Sequence, residues 1–194
     1  MAEWTNFIPL GLVVVGSLSL LWTNKWRYNI GSIALQYLAV FWFVSQVWPI
    51  GLAAIKLVAG WMAGAVLAAS VTASDLPETE TPAMSARIFR VVGGVFVLIL
   101  AFSAAPQAAE WIPAQQTAMI SSLVLIGMGL LQLSMTKDPL RVILGLLTVL
   151  SGFEIIYAAA LTSVLVAGLL ALVTIGVSLT GAYWLSLTPP EEPS

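Results

Sequence analysis

The sequence predicts an all-α, polytopic membrane protein of about seven transmembrane helices, and three observations carry that prediction. Of the 194 residues, 60% are apolar and only 8% are charged, against roughly half apolar and a quarter charged in soluble domains. The mean hydropathy is +1.00, which excludes a soluble fold. The apolar residues also gather into runs of about 20, the length of helix that crosses a hydrocarbon core of about 30 Å.

Seven such runs are predicted as helices, over residues 6 to 23, 29 to 48, 51 to 72, 88 to 106, 117 to 135, 139 to 160 and 163 to 186. Glu3 precedes the first run, with no Lys or Arg before it and no small-x-small cleavage pattern after it. That run is therefore expected to be a permanent helix and not a signal peptide. The breaks between runs have physical causes. Thr23-Asn24-Lys25-Trp26-Arg27 is polar, Trp48-Pro49-Ile50-Gly51 is a Pro/Gly turn, and Lys137-Asp138-Pro139 sets Pro at a helix start, where its missing N–H costs nothing. Length alone forces the break near Ala160-Leu161-Thr162-Ser163, because an unbroken helix over 139 to 186 would be about 70 Å long.

Basic residues set the expected orientation. Lys25 and Arg27 follow the first helix, Arg87 and Arg90 precede the fourth, and Lys137 and Arg141 lie between the fifth and sixth. Seven crossings put all of them on one side, so the N-terminus is expected outside and the C-terminus in the cytoplasm. The expected organisation is a three-helix half (1–73), a cytoplasmic connector rich in Pro, Thr and Glu (74–87), a four-helix half (88–186) and an acidic cytoplasmic tail (187–194). The segment Pro106 to Gln116, with Glu110 and Trp111, is expected to be an outer loop along the interface. Trp4, Trp22, Trp26, Trp48, Trp111 and Trp184 fall near helix ends, as anchoring rings do. Gly60 and Gly64 form one GxxxG, which permits close helix packing.

Composition also removes function classes. There is no Cys and no His, hence none of the usual ligands for Fe–S clusters, zinc or haem. No cofactor or metal site is expected, and redox chemistry would belong to another subunit. Nor can the usual acyl-transfer constellations be built, so the chain is not expected to be an enzyme by itself. Without a basic patch it has nothing to neutralise a phosphate backbone, and nucleic acid is not an expected partner. An independent transporter is disfavoured by the lack of a repeat and of a polar binding cluster.

Two charges remain inside predicted spans, Lys56 and Glu154. Each is costly in hydrocarbon and needs a partner, a cavity or a changed protonation state. Lys56 lies about five residues from the outer start of its helix and Glu154 about six from the outer end of its own, so at 1.5 Å per residue both sit roughly 8 to 9 Å deep. At equal depth they can meet and share a proton. The plainer alternatives are a Lys56 that snorkels to the outer surface and a Glu154 that hydrogen-bonds a neighbouring helix. Gln36, Tyr37, Ser45 and Gln46, Thr148, Ser151 and Tyr157, and Thr174 and Ser178 can extend a polar wire or serve as packing contacts between helices.

Three helices with a Lys in the third, a connector, and four more helices of which the sixth opens Lys137-Asp138-Pro139-Leu140-Arg141-Val142-Ile143-Leu144-Gly145 resembles membrane component E of the hydrogenase 4 and formate hydrogenlyase complexes. The part over 117–186 is similar to the K subunit of respiratory complex I and the C subunit of Mrp-type antiporters. Arg141 and Gly145 match the helix start of those families. The resemblance implies an accessory subunit beside antiporter-like subunits, with an intramembrane glutamate in proton transfer. Here Leu147 and Leu150 stand where those families carry that glutamate, and Leu172 where K subunits carry a second. Glu154 lies seven and four residues beyond the first two, offsets that return close to the same helix face.

Overall fold

The computed structural model describes residues 2–73, 84–112, 114–161 and 163–187; side chains are described from residue 7 onward. Those residues form an all-α membrane protein of seven helices: α1 (Ala2–Trp22), α2 (Trp26–Ser45), α3 (Ile50–Ala73), α4 (Met84–Trp111), α5 (Gln116–Ser134), α6 (Pro139–Ala160) and α7 (Val164–Leu187). Helices α2 to α7 are each long and apolar enough to cross a membrane, and α1 has an apolar stretch over Phe7–Trp22. Most of the connector and the acidic tail lie outside the described residues.

Local chemistry explains the best-defined boundaries. Asp138 caps α6, its Oδ1 accepting the Leu140 N–H at 3.0 Å, with Pro139 in the first turn. At the other end Leu161 adopts extended backbone and its N–H closes on the Tyr157 carbonyl, so α6 stops one residue after Ala160. Helix α2 lies three residues earlier than expected, because Trp26 and Arg27 already belong to its first turn and a tight turn through Trp48 leads to Pro49.

The fourth helix corrects the sequence reading. Pro106 was expected to end it, but α4 continues through that proline to Trp111, absorbing most of the expected outer loop. A proline inside a helix removes one N–H donor and frees one carbonyl, a loss that membrane helices tolerate when the rest of the turn is held.

Helices α1, α2, α6 and α5 pack around a square, each against the next. Helices α3 and α7 pack on each other and close the flank beside α2 and α6, while α4 lies on the opposite flank against α1 and α5. Close approach depends on glycine at two places. A methyl group on Gly60 would run into the Tyr37 ring, and one on Gly129 would come within 2.8 Å of the Gly145 carbonyl oxygen.

Trp48 is not an interfacial anchor. It is buried, and its Nε1–H donates to the Ala158 carbonyl at 3.1 Å, tying the end of α2 to the end of α6. At the opposite end Arg141 of α6 reaches the α1–α2 corner. These two contacts show that α2 and α6 run parallel. Six of the seven Lys and Arg residues sit at the start of α2, α4 or α6, giving the bundle one basic end.

Candidate functional site: a buried Lys–Glu pair

Two charged side chains meet where α2, α3, α6 and α7 converge. Lys56 Nζ donates to Glu154 Oε1 at 2.8 Å, and their side chains are 2% and 1% exposed. Lys56 thus does not snorkel. It is on the inner face of α3, where Ala53, Ala59, Gly60 and Ala63 leave room for a long side chain. Glu154 lies on the face of α6 that also carries Leu147 and Ser151, because residues three and seven apart return to one side of a helix. The pair is the only salt bridge among the described residues.

Neighbouring groups leave the pair incompletely satisfied. Thr174 of α7 approaches Glu154 Oε1 at 3.5 Å, but its hydroxyl also points to the Leu170 carbonyl at 3.0 Å. Glu154 Oε2 and the Tyr37 hydroxyl are buried with no hydrogen-bond partner. Tyr37 belongs to the same site, since its ring rests on Gly60, one turn from Lys56, and its hydroxyl feels the Glu154 charge. A buried carboxylate with one oxygen bonded and the other unpartnered retains acceptor capacity for a proton or a further donor.

The expected wire residues divide. Gln36 and Thr148 do meet: the Thr148 hydroxyl approaches Gln36 Oε1 at 3.2 Å and its own helix at Leu144, while Gln36 Nε2 donates to Ser17 at 3.1 Å. Ser151, between Thr148 and Glu154, donates to the Thr148 carbonyl at 2.8 Å. Ser178 donates to the Ala63 carbonyl at 2.7 Å and joins α7 to α3. Tyr157 lies away from the pair, its ring edge-on to Trp48. Ser45 donates to its own helix at Trp42 and is exposed.

Gly145 and Arg141 have distinct structural roles. Gly145 lets α5 approach α6. Arg141 is 4% exposed, and its guanidinium donates to Asn24 Oδ1 at 2.6 Å and to the Leu20 carbonyl at 2.7 Å. A polar residue that sequence reasoning passed over stands at this end: Asn29 is fully buried, and neither atom of its amide has a partner. A spacing signal was available. Asn29 precedes Gln36 by seven residues as Arg141 precedes Thr148, which puts each pair on one face of two parallel helices.

Compared with protein-family models, curated proteins and solved structures, the chain gives no match. The bundle and its buried pair rest on the chain's own residues.

Proposed function

We propose that the protein is an accessory membrane subunit of a complex I-like or hydrogenase-related respiratory assembly in the plasma or inner membrane of a prokaryote. In this reading it lends a protonatable site to ion translocation beside antiporter-like subunits. The observation that carries it is the 2.8 Å Lys56–Glu154 pair, withdrawn from every surface of the bundle. Desolvating two ions costs several kcal/mol each, and well-packed apolar residues of similar volume often serve stability as well or better. Holding and releasing a proton is a use that accounts for keeping both charges.

The proton balance is simple. Glu154 takes a proton on Oε2, Lys56 then gives one up, and transfer from the carboxylic acid to the neutral amine restores the ion pair. One proton has entered and one has left. The match of Arg141 and Gly145 to the family helix start supports an assembly of this kind, and the single basic end supports an outer N-terminus and a cytoplasmic C-terminus.

A second reading has its own support. Thr148, Ser151 and Thr174 each direct their hydroxyl to a carbonyl of their own helix, so no continuous hydrogen-bonded chain joins Gln36 to Glu154. That favours a structural or assembly subunit of another bioenergetic complex, including a photosynthetic one, with the ion pair as a lock between α3 and α6.

The test is to tag the C-terminus at its native locus, extract in mild detergent and identify stoichiometric partners by mass spectrometry. Antiporter-like and hydrogenase or quinone-reducing subunits are expected. A chain that emerges alone, or with an unrelated complex, overturns the respiratory assignment.

A further inference from the structure

Away from the ion pair, the basic end of the bundle holds a second group of charges that the proposed function does not use. Arg141, Arg90 and Arg87 gather around the corner between α1 and α2. Asn24 Oδ1 accepts from Arg141 Nη1 at 2.6 Å and is approached by Arg90 Nη1 at 3.4 Å, so one neutral oxygen serves two cations. Arg87 is one turn before Arg90 on α4, and Gly94, one turn after it, packs against Leu18 and Leu21 of α1. All three positions therefore share the α4 face turned toward α1.

These guanidiniums lack counter-charge. None of the three lies within salt-bridge distance of a carboxylate. Asp138 attracts Arg141 electrostatically while Arg90 repels it, and the Asp138 carboxylate already caps α6. Arg141 is buried, and its Nε carries no hydrogen-bond partner; Arg87 Nε is likewise buried and unpartnered. Like charges held together with unused donors form a receptor for an anion with several acceptor oxygens, the geometry for which arginine is best suited.

We propose that Arg87, Arg90 and Arg141 form a binding site for a phosphate group, supplied by the headgroup of an anionic phospholipid. The lipid source follows from what adjoins the arginines. Ile88, Phe89, Val92, Phe96 and Ile99 of α4 are all exposed, a continuous apolar strip that begins beside the arginines and runs along the membrane span, where acyl chains lie. A soluble anion would use the guanidiniums and leave that strip unused. The site is independent of the Lys56–Glu154 pair and of the assembly proposed above.

The experiment uses the full chain in nanodiscs of mixed phosphatidylglycerol and phosphatidylcholine, with retained lipids counted by native mass spectrometry after release. Wild type is expected to retain phosphatidylglycerol in preference to phosphatidylcholine. The Arg87→Gln/Arg90→Gln variant, which leaves the contacts of Arg141 intact, is expected to lose that preference by on the order of tenfold, given the attraction of each basic residue to anionic lipid. Arg87→Lys/Arg90→Lys, which keeps the charge, should hold most of it and serves if the Gln variant folds poorly. A second arm titrates inorganic phosphate onto the chain in phosphatidylcholine nanodiscs. A thermal shift there that the Gln variant lacks, without lipid preference in the first arm, overturns the lipid source in favour of free phosphate. Equal retention of both lipids with no phosphate response overturns the site.

Discussion

Lys56 Nζ and Glu154 Oε1 lie 2.8 Å apart although 98 residues separate them in sequence, and neither side chain reaches a surface of the bundle. Removing one partner strands the other charge. Lys56→Met and Glu154→Gln are each expected to cost about 3–5 kcal/mol, while Lys56→Met/Glu154→Met should cost far less than the sum. Unfolding curves in lipid–detergent micelles measure all three. Additive losses would show that the contact contributes no coupling.

The role in ion movement needs a variant that still assembles. Lys56→Met/Glu154→Gln removes both charges without stranding either. In inverted membrane vesicles carrying the native assembly, it is expected to abolish or strongly reduce proton uptake coupled to electron transfer while the partner subunits still co-purify. Undiminished uptake leaves the pair as a structural lock.

The two glycines of the GxxxG segment should behave differently. A methyl on Gly60 collides with the Tyr37 ring, whereas one on Gly64 meets only Ile30 at 3.7 Å, an ordinary contact. Gly60→Ala is expected to destabilise by about 1–3 kcal/mol through overpacking. Gly64→Ala should be neutral or stabilising by up to about 1 kcal/mol, since alanine is the better helix former. Equal effects would mean that Gly64 packs more closely than the bundle indicates.

Asn29 offers a sharper stability test. Both atoms of its buried amide are without partners, and leaving such groups unsatisfied costs roughly 1–3 kcal/mol. Asn29→Leu is expected to raise the unfolding midpoint. A lowered midpoint would reveal a partner for the amide.

Topology can be read chemically, because the sequence has no cysteine to interfere. Lys25 and Gln116 are exposed at opposite ends of the bundle. In intact cells a membrane-impermeant maleimide should label Gln116→Cys and spare Lys25→Cys until the membrane is opened. The reverse pattern would invert the orientation drawn from the basic residues.

Much of this architecture was legible because hydrocarbon imposes few choices. Span length, the Pro139 start and the polar Thr23–Arg27 break fixed helix order. Depth arithmetic brought Lys56 and Glu154 level, since rise per residue is nearly constant. Rotation about each helix axis was not legible: Tyr157 has the same residue type as Tyr37, yet only Tyr37 faces the pair. Pro106 misled because a lone proline breaks an isolated helix but not one held by α1 and α5. Asn24 read as a turn residue, and only its position in three dimensions gives it two arginines.

The long sequence interval inside the ion pair bears on how the protein is made. At about 5–20 residues per second, Lys56 is synthesised some 5–20 s before Glu154. Helix α3 therefore enters the bilayer with a lysine whose counter-ion does not yet exist. Lys56 is only six residues into α3, close enough for its ammonium to reach interfacial water during that wait, and the arrival of α6 then draws it inward. Pairing is thus a late step of biogenesis, and a chain truncated before α6 would retain a lysine that neither its own helices nor the lipid can neutralise, a local feature by which quality control can distinguish unfinished protein from finished.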